Sequence, residues 1–528
     1  MAPARNETTG IPSGDRWQSL SVVCQGGLDL SVDALTQGVA FPGSARVLQN
    51  FEPALEGGYK RIQGYIKWDS AVVPGAANAP VLAVKPALGG VLAVRKRDGV
   101  DDNALYFSSG SGWGSVLNTT ARPGSVTKAR IIEYSITAPV TILTDGVNPA
   151  GKWDGTTYTH INGTGAPANP HFAEMFLARL VLSGYSANTS AISISAPNQD
   201  TNFTAGSGAI EINVGDVVVG IKSFRAELYI FCKNSIFKLI GETIDNFQVV
   251  PVARSIGCVS GDSVQEIGGD LVFLAPDGIR SVAGTANIGD VELGLLSKKI
   301  QPIVRQFVGS YSAISYSSTV IRQKSQYRLF IYDSSGLKAE ALGILGKLES
   351  KDGGGIGFSW ATTRGIQPYS AGSTYVNNDE IVAIGDPING YVYRLERGND
   401  FDGTNIYHIY QSPQLVFDDP KLRKVLQKAT VYTQVDGTAT TYLQALLDFE
   451  NPNVLQPEPI ELAQDGALSA YGSAVYGTDV YGAVTYPIFM KNLVGSGFTC
   501  AFQYADTNGN PPIRIDSFII EYGLKGRR

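Results

Sequence analysis

Ala191-Ile-Ser-Ile-Ser195, Ser235-Ile-Phe-Lys-Leu-Ile240 and Gly278-Ile-Arg-Ser-Val282 decide how this chain reads. Each is a short alternating strand that runs into polar turn residues. The first continues as Ala196-Pro-Asn-Gln-Asp-Thr-Asn-Phe203, the second as Gly241-Glu-Thr-Ile-Asp-Asn-Phe247, the third as Ala283-Gly-Thr285. The starts lie about 44 and 43 residues apart. Short strands recurring at about 40–50 residues predict the blades of a β-propeller.

Outward from these three, strand starts recur near 104, 151, 326 and 390, with steps of about 40 to 64 residues along the series. Such a series fits six to eight blades, with seven the best fit. Val217–Ile221 and Glu227–Cys232 read as inner strands before the second segment, and Asp270–Leu274 before the third, through the turn Ala275-Pro-Asp-Gly278. Phe172–Leu182 reads as a helical turn or a strand, while Leu295–Phe307 is the expected helix. The long step before 390 holds the Gly-rich stretch Lys351–Gly357, expected as an inserted loop.

The totals agree with an all-β protein. The 528 residues suggest two or three units, and 43% hydrophobic content is ample for packed cores. Charged residues make up only 17%, while Gly 60, Tyr 25 and Phe 21 favour turns and aromatic strands. The formal net charge is −6, so no global basic footprint for nucleic acid is present. Cys24, Cys232, Cys258 and Cys500 lack Cys-x-x-Cys spacing and read as buried thiols, with Cys232–Cys258 the one local bridge conceivable. No charged-then-apolar leader and no run of about 18 apolar residues is seen, so no membrane span is expected.

Residues 1–45 read as an extended N-terminal arm, 46–405 as the propeller-like domain and 406–528 as a β-sandwich-like domain. Ala45–Tyr65 reads as a hairpin turning at Gly57-Gly58, with Lys60 and Arg61 as basic decoration. In the last part, Lys421, Arg423, Lys424 and Lys428 form a basic run, and Tyr471, Tyr476 and Tyr481 each precede a glycine at a five-residue step. That step fits neither a strand face nor a helix face, so the ordinary reading is a set of Gly-Tyr turns and the sharper one a subunit contact.

Catalytic chemistry is thinly represented. The three histidines, His160, His171 and His408, form no His-x-x-x-His pair, and His171 with Glu174 lacks a third metal ligand. No Gly-x-Ser-x-Gly with a suitably placed downstream histidine and no phosphate-cradling Gly-x-x-x-x-Gly-Lys-Ser/Thr loop is present. Asp101 with Asp102 and Asp418 with Asp419 read as turn chemistry. The expectation is no enzyme, no cofactor and no metal.

Asn50-Phe-Glu-Pro53 with Gly57-Gly-Tyr-Lys-Arg-Ile-Gln-Gly-Tyr65 resembles the opening signature of tail nozzle or tail tube proteins of short-tailed bacteriophages, a group that includes packaged-DNA stabilisation and tail hub proteins. Ser195–Phe203, Ser235–Gly241, Gly257–Gly261, Leu274–Arg280, Ser412–Lys424 and the closing Ile519–Arg528 are similar in order along residues 45–528, although Lys60 stands where an arginine is expected. The resemblance implies a structural virion protein, a homohexameric ring below the portal and tail adaptor. Its channel would retain packaged DNA and conduct it during ejection without specific binding, and tail fibre or tail needle proteins would be further partners. Lys60, Arg61, Lys421, Arg423, Lys424, Tyr471, Tyr476 and Tyr481 are then the candidate subunit or adaptor contacts. The alternatives are a tail protein that binds a host receptor or glycan and, last, a glycan-degrading tail enzyme.

Overall fold

The computed structural model describes residues 17–116, 121–283, 295–308, 314–333, 343–350, 356–417, 420–435, 437, 439–464, 468–469, 480–481 and 487–525. Its backbone divides into two units. One is Ile62–Ile406. The other joins the described parts of Met1–Arg61 and Tyr407–Arg528.

The Ile62–Ile406 unit is a β-propeller built of antiparallel meanders. In chain order, the innermost strands of successive sheets are Val81–Ala87, Arg130–Ser135, Phe172–Phe176, Val218–Phe224, Gln265–Ile267, Ile314–Ile321 and Ser370–Val376. Each packs beside the next, the fourth reaching the fifth sheet through the turn Gly261–Ser263, and the last packs against the first. Second strands such as Arg179–Tyr185 and Asp270–Ala275 are buried along their whole length, because each sheet is covered on both faces by its neighbours. Between the third and fourth sheets, Phe176, Val181, Ile192 and Ile194 meet Ile221, Leu228 and Ile230. Between the fourth and fifth, Phe231 meets Phe273 with ring centroids 5.3 Å apart. Leu82 and Val94 of the first sheet share a cluster with Leu143 of the second and Ile381 of the last, which closes the circle.

The last sheet is completed from the other end of the unit. Tyr65–Lys67 pairs with Val392–Leu395, Tyr393 standing opposite Lys67 and Leu395 opposite Tyr65. Start and finish of the unit are thereby hydrogen-bonded into one sheet, which removes an open edge. Close approach is bought with glycine at Gly372, where a Cβ would lie 2.8 Å from the Val84 carbonyl oxygen of the adjoining inner strand.

The repeat in the sequence is real but offset. The starts near 104, 151, 191, 235, 278 and 390 fall on third strands of their sheets, whereas 326 falls on a second strand, Gln326–Asp333. The third strand there is Gly343–Ser350, which pairs with Ile356–Thr363 in continuous register. The Gly-rich stretch therefore connects neighbouring strands of one sheet and is not an insertion between sheets, although 351–355 lie outside the described residues. The extra length precedes Ile314 and contains the helix Gln301–Val308, shorter than the expected 295–307. Phe172–Leu182 resolves as two antiparallel strands.

The other unit has two layers. One contains Phe51–Pro53, Tyr59–Arg61, Ile513–Lys525, Arg423–Val435 and Ile488–Asn492; the second contains Val47–Gln49, Ile406–Gln411, Cys500–Asn508, Ala439–Leu447 and Ile460–Gln464. Aromatic rings hold the layers together. Phe518 of the first lies 5.6 Å from Phe502 and 5.8 Å from Tyr504 of the second, and Tyr504 stacks on Tyr410 at 5.7 Å.

The described part of the expected arm is folded into this unit. Gln18–Val23 pairs antiparallel with Ile513–Lys525, from Gln18 opposite Tyr522 to Val23 opposite Ser517. Asp33 caps the helix Ala34–Ala40 by accepting from the N–H groups of Leu35 and Thr36, each at 3.0 Å. The expected boundaries at 45 and 405 thus move to 61 and 406. The reason is pairing: residues 18–61 find their hydrogen-bond partners among strands near the other end of the chain. All four cysteines are buried free thiols.

Candidate functional site

The innermost strands of the propeller surround a cavity of about 350 Å³, and every one of them contributes to its wall. Five cations line it, Lys85, Lys128, Arg130, Lys222 and Arg322, with four carboxylates, Glu133, Glu174, Asp262 and Glu266. An enclosed charge is costly unless paired, so the partners of each decide what the cavity can bind.

Four of the cations are engaged. Arg130 grips Asp262 with both arms of its fork, Nε to Oδ1 at 2.8 Å and Nη2 to Oδ2 at 2.7 Å, and lies over the Phe172 ring at 4.4 Å. Lys222 donates to both oxygens of Glu174, at 3.3 and 3.2 Å. Lys128 donates to Ser315 Oγ at 3.3 Å and to the carbonyls of Tyr316, at 3.1 Å, and Tyr369. Arg322 reaches Ser373 Oγ at 3.2 Å and Glu380 at 3.6 Å.

Lys85 is different. Among the described residues its ammonium makes no hydrogen bond and no ion pair. Burial pushes its pKa down to about 8, with Lys222 and Arg322 adding repulsion that Glu133 and Glu174 only partly offset. Burial likewise pushes Lys128 down to about 8. Burial also pushes the Asp262 carboxyl up, but Arg130 and Lys128 outweigh it and hold the group below the usual range. The cavity therefore combines a fixed Arg130–Asp262–Lys128 cluster with one unpaired, easily deprotonated amine.

The signal for Lys85 was readable: a single cation inside the apolar run Val81-Leu-Ala-Val-Lys-Pro-Ala87. The ordinary reading of such a residue is a lysine extending to solvent, and only the circular arrangement turns it toward a cavity. His171 and Glu174 do not form a metal pair. They flank and belong to the strand Phe172–Phe176, and Glu174 is held by Lys222. Among the described residues no group of three or more His, Cys, Asp or Glu side chains is placed to hold a metal. Asp102 caps its own turn, accepting from the Asn103 and Arg122 N–H groups at 2.6 and 2.8 Å.

Among the described residues expected as subunit or adaptor contacts, none lines the axial cavity. Lys60 is half-buried on the hairpin strand Tyr59–Arg61, which turns at Gly57 and Gly58 with φ of +97° and +76°. Arg61 is buried and donates to the carbonyls of Asn508 and Asn510, so it ties the hairpin to the chain behind it. Along the basic run, Lys421 and Arg423 are exposed, Arg423 reaching Ser496 Oγ at 3.1 Å, whereas Lys424 is buried and donates to the Phe498 carbonyl at 3.0 Å. Strand alternation splits the run between two faces. Tyr471 and Tyr476 lie outside the described residues, and Tyr481 belongs to the two-residue strand Val480–Tyr481, parallel to Leu468–Ser469.

No family model and no curated protein matches the chain. Among solved structures it is similar to the extracellular domain of a proposed one-component system of B. thetaiotaomicron, with 8% identity, TM-score 0.39, 66% of this chain and 45% of that one. It is also similar to the extracellular domain of a proposed hybrid two-component system of B. thetaiotaomicron, with 8% identity, TM-score 0.40, 65% of this chain and 41% of that one. The match thus spans less than half the length of either protein. At those scores the likeness transfers no ligand and no cellular location to this chain.

These findings correct the functional expectation. Extracellular sensor domains stand where the resemblance implied a phage component, and the tail nozzle, the phage tail and virion assignments, DNA ejection and the virion location are not retained. Among the described residues no helix is long and apolar enough to cross a membrane, which leaves β-barrel crossings unaddressed.

Proposed function

We propose that the Ile62–Ile406 unit is a ligand-binding propeller of seven radial sheets that holds a small anionic molecule in its axial cavity and acts by binding, without catalysis. The observation that carries this reading is Lys85: an ammonium in the cavity wall with no hydrogen-bond or ion-pair partner among the described residues, beside four cations that are all engaged. A carboxylate or phosphate group would supply the missing partner, and charge-assisted hydrogen bonds are the strong ones. The volume of about 350 Å³ suits a small ligand. The sheet count rests on the circuit of innermost strands, which passes through Ile314–Ile321 before returning to the first.

Calorimetric titration of the full chain with inorganic phosphate, succinate and glutamate tests the reading. At least one probe is expected to bind, and Lys85→Met is expected to weaken it by about tenfold or more, equivalent to about 1.4 kcal/mol. Equal binding to the Lys85→Met protein, or preferential binding of a cation such as putrescine, would overturn it.

A further inference from the structure

A second site lies in the other unit and is independent of the propeller cavity. The strands Ile406–Gln411, Cys500–Asn508 and Ala439–Leu447 run side by side in that order. Their outer face carries a cleft of about 500 Å³. Strand alternation sends Tyr410, Leu443 and Tyr504 into the core and leaves Tyr407, Tyr442 and Gln503 pointing out. Tyr442 stands opposite Ala505, and Gln444 opposite Gln503.

Tyr407 and Tyr442 keep 42% and 39% of their surface exposed although both sit in the middle of a sheet. Adjacent strands are about 4.8 Å apart, so the two tyrosines rise from backbones about 10 Å apart, with the small Ala505 on the strand between. A ring in van der Waals contact with both would need about 7–8 Å between them. Among the described residues the tyrosine hydroxyls and the Gln503 amide make no hydrogen bond, so they are available to a ligand. No lysine or arginine lines the cleft. Its one carboxylate, Asp506, is already taken by the Thr507 N–H and the Asn508 amide, each at 2.6 Å.

We propose that this cleft binds a neutral saccharide, with a pyranose ring between Tyr407 and Tyr442 and its hydroxyls on Gln503 and the tyrosine hydroxyls. A sugar ring has apolar C–H faces and a polar rim, which matches two rings flanked by amides. Tyrosine supplies such contact area at small conformational cost. The lining offers no cation to an anionic partner, and its one carboxylate is already held by two neutral donors. A peptide adding as a strand is disfavoured, because the middle strand and Ala439–Leu447 are both paired on each side.

The test is titration of the full chain with maltohexaose, cellohexaose, xylohexaose, mannohexaose and chitohexaose, followed calorimetrically. At least one is expected to bind. Tyr407→Ala and Tyr442→Ala should each weaken it by about tenfold or more, while Tyr442→Phe, which keeps the ring, should stay within about threefold. Tyr375→Ala, an exposed tyrosine of the propeller, should change nothing, and Lys85→Met should leave saccharide binding intact. No binding by any of these oligosaccharides, unchanged affinity in the Tyr407→Ala/Tyr442→Ala double variant, or binding confined to sulfated or uronic saccharides would overturn the proposal.

Discussion

In the propeller, charge is gathered toward the axis and held there by other charges. Arg130 is forked onto Asp262, Lys222 onto Glu174, and Lys85 alone is left over. In the other unit the outward-facing cleft carries rings and amides, with Asp506 its one charged side chain, and the interior is likewise held by rings, Tyr410 stacked on Tyr504 and Tyr504 tilted against Phe518. The two regions teach different lessons about what marks a site. Lys85 is half-buried in a cavity wall whose other cations are all engaged, so the absence of a partner is itself informative. An exposed tyrosine costs little, so it becomes informative only through a second ring and the free Gln503 amide on the same face.

The comparison can be broken most forcefully at the pair that joins the first two sheets. Arg122 is fully buried and Asp145 nearly so, linked at 2.6 Å, and Arg122 also donates to the Pro149 carbonyl at 3.0 Å. Arg122→Met leaves Asp145 as a buried charge without its ion-pair partner and should cost about 3–5 kcal/mol in chemical denaturation. A loss under about 1 kcal/mol would show that the propeller does not depend on enclosed charge pairs.

At the axis the effect should be smaller. Asp262→Asn removes the charge and one of the two acceptor oxygens of the Arg130 fork and should cost about 1–3 kcal/mol. The acid side checks the sign. Asp262 is held below its unfolded value of about 3.9, so its contribution is present above that pH and disappears as pH falls through the folded value. The gap in stability between native and Asp262→Asn protein should therefore close in strong acid.

Lys85 sharpens the contrast through pH. Its amine is pushed down to about 8, so anion affinity in the axial cavity should hold below that pH and fall by about tenfold per unit above it. Saccharide affinity in the tyrosine cleft should be flat over the same range. A flat profile for the anion as well would remove Lys85 from the site. The smallest effect is on folding at the cleft: Tyr442→Ala should alter stability by no more than about 0.5 kcal/mol, as for other exposed side chains, in the same denaturation assay.

Much of the architecture was legible because it is written locally. The segments at Ala191, Ser235 and Gly278 alternate with period two and end in turn residues, which is enough to place a strand and a repeat. Their offset was invisible, since a third strand carries the same alternation as a first. Residues 18–45 resembled an arm because Gln18–Val23 is a strand only when Ile513–Lys525 lies beside it. Arg61 and Lys424 resembled surface decoration because nothing in their neighbourhood announces the carbonyls of Asn510 and Phe498 that receive them. Tyr407 and Tyr442 escaped notice as a pair because 35 residues separate strands that share one face.

By itself the sequence determined an all-β chain, the rhythm of strands and turns in its middle, and the scarcity of metal-binding and nucleophilic motifs. Only the tertiary structure decided which strands meet: Tyr65–Lys67 with Val392–Leu395, Gln18–Val23 with Ile513–Lys525. It thereby also decided which cation remains unpaired and which rings share a cleft. The physical reason is that alternation and turn chemistry act over a few neighbouring residues, whereas pairing and the solvation of a charge depend on groups brought together from hundreds of residues away.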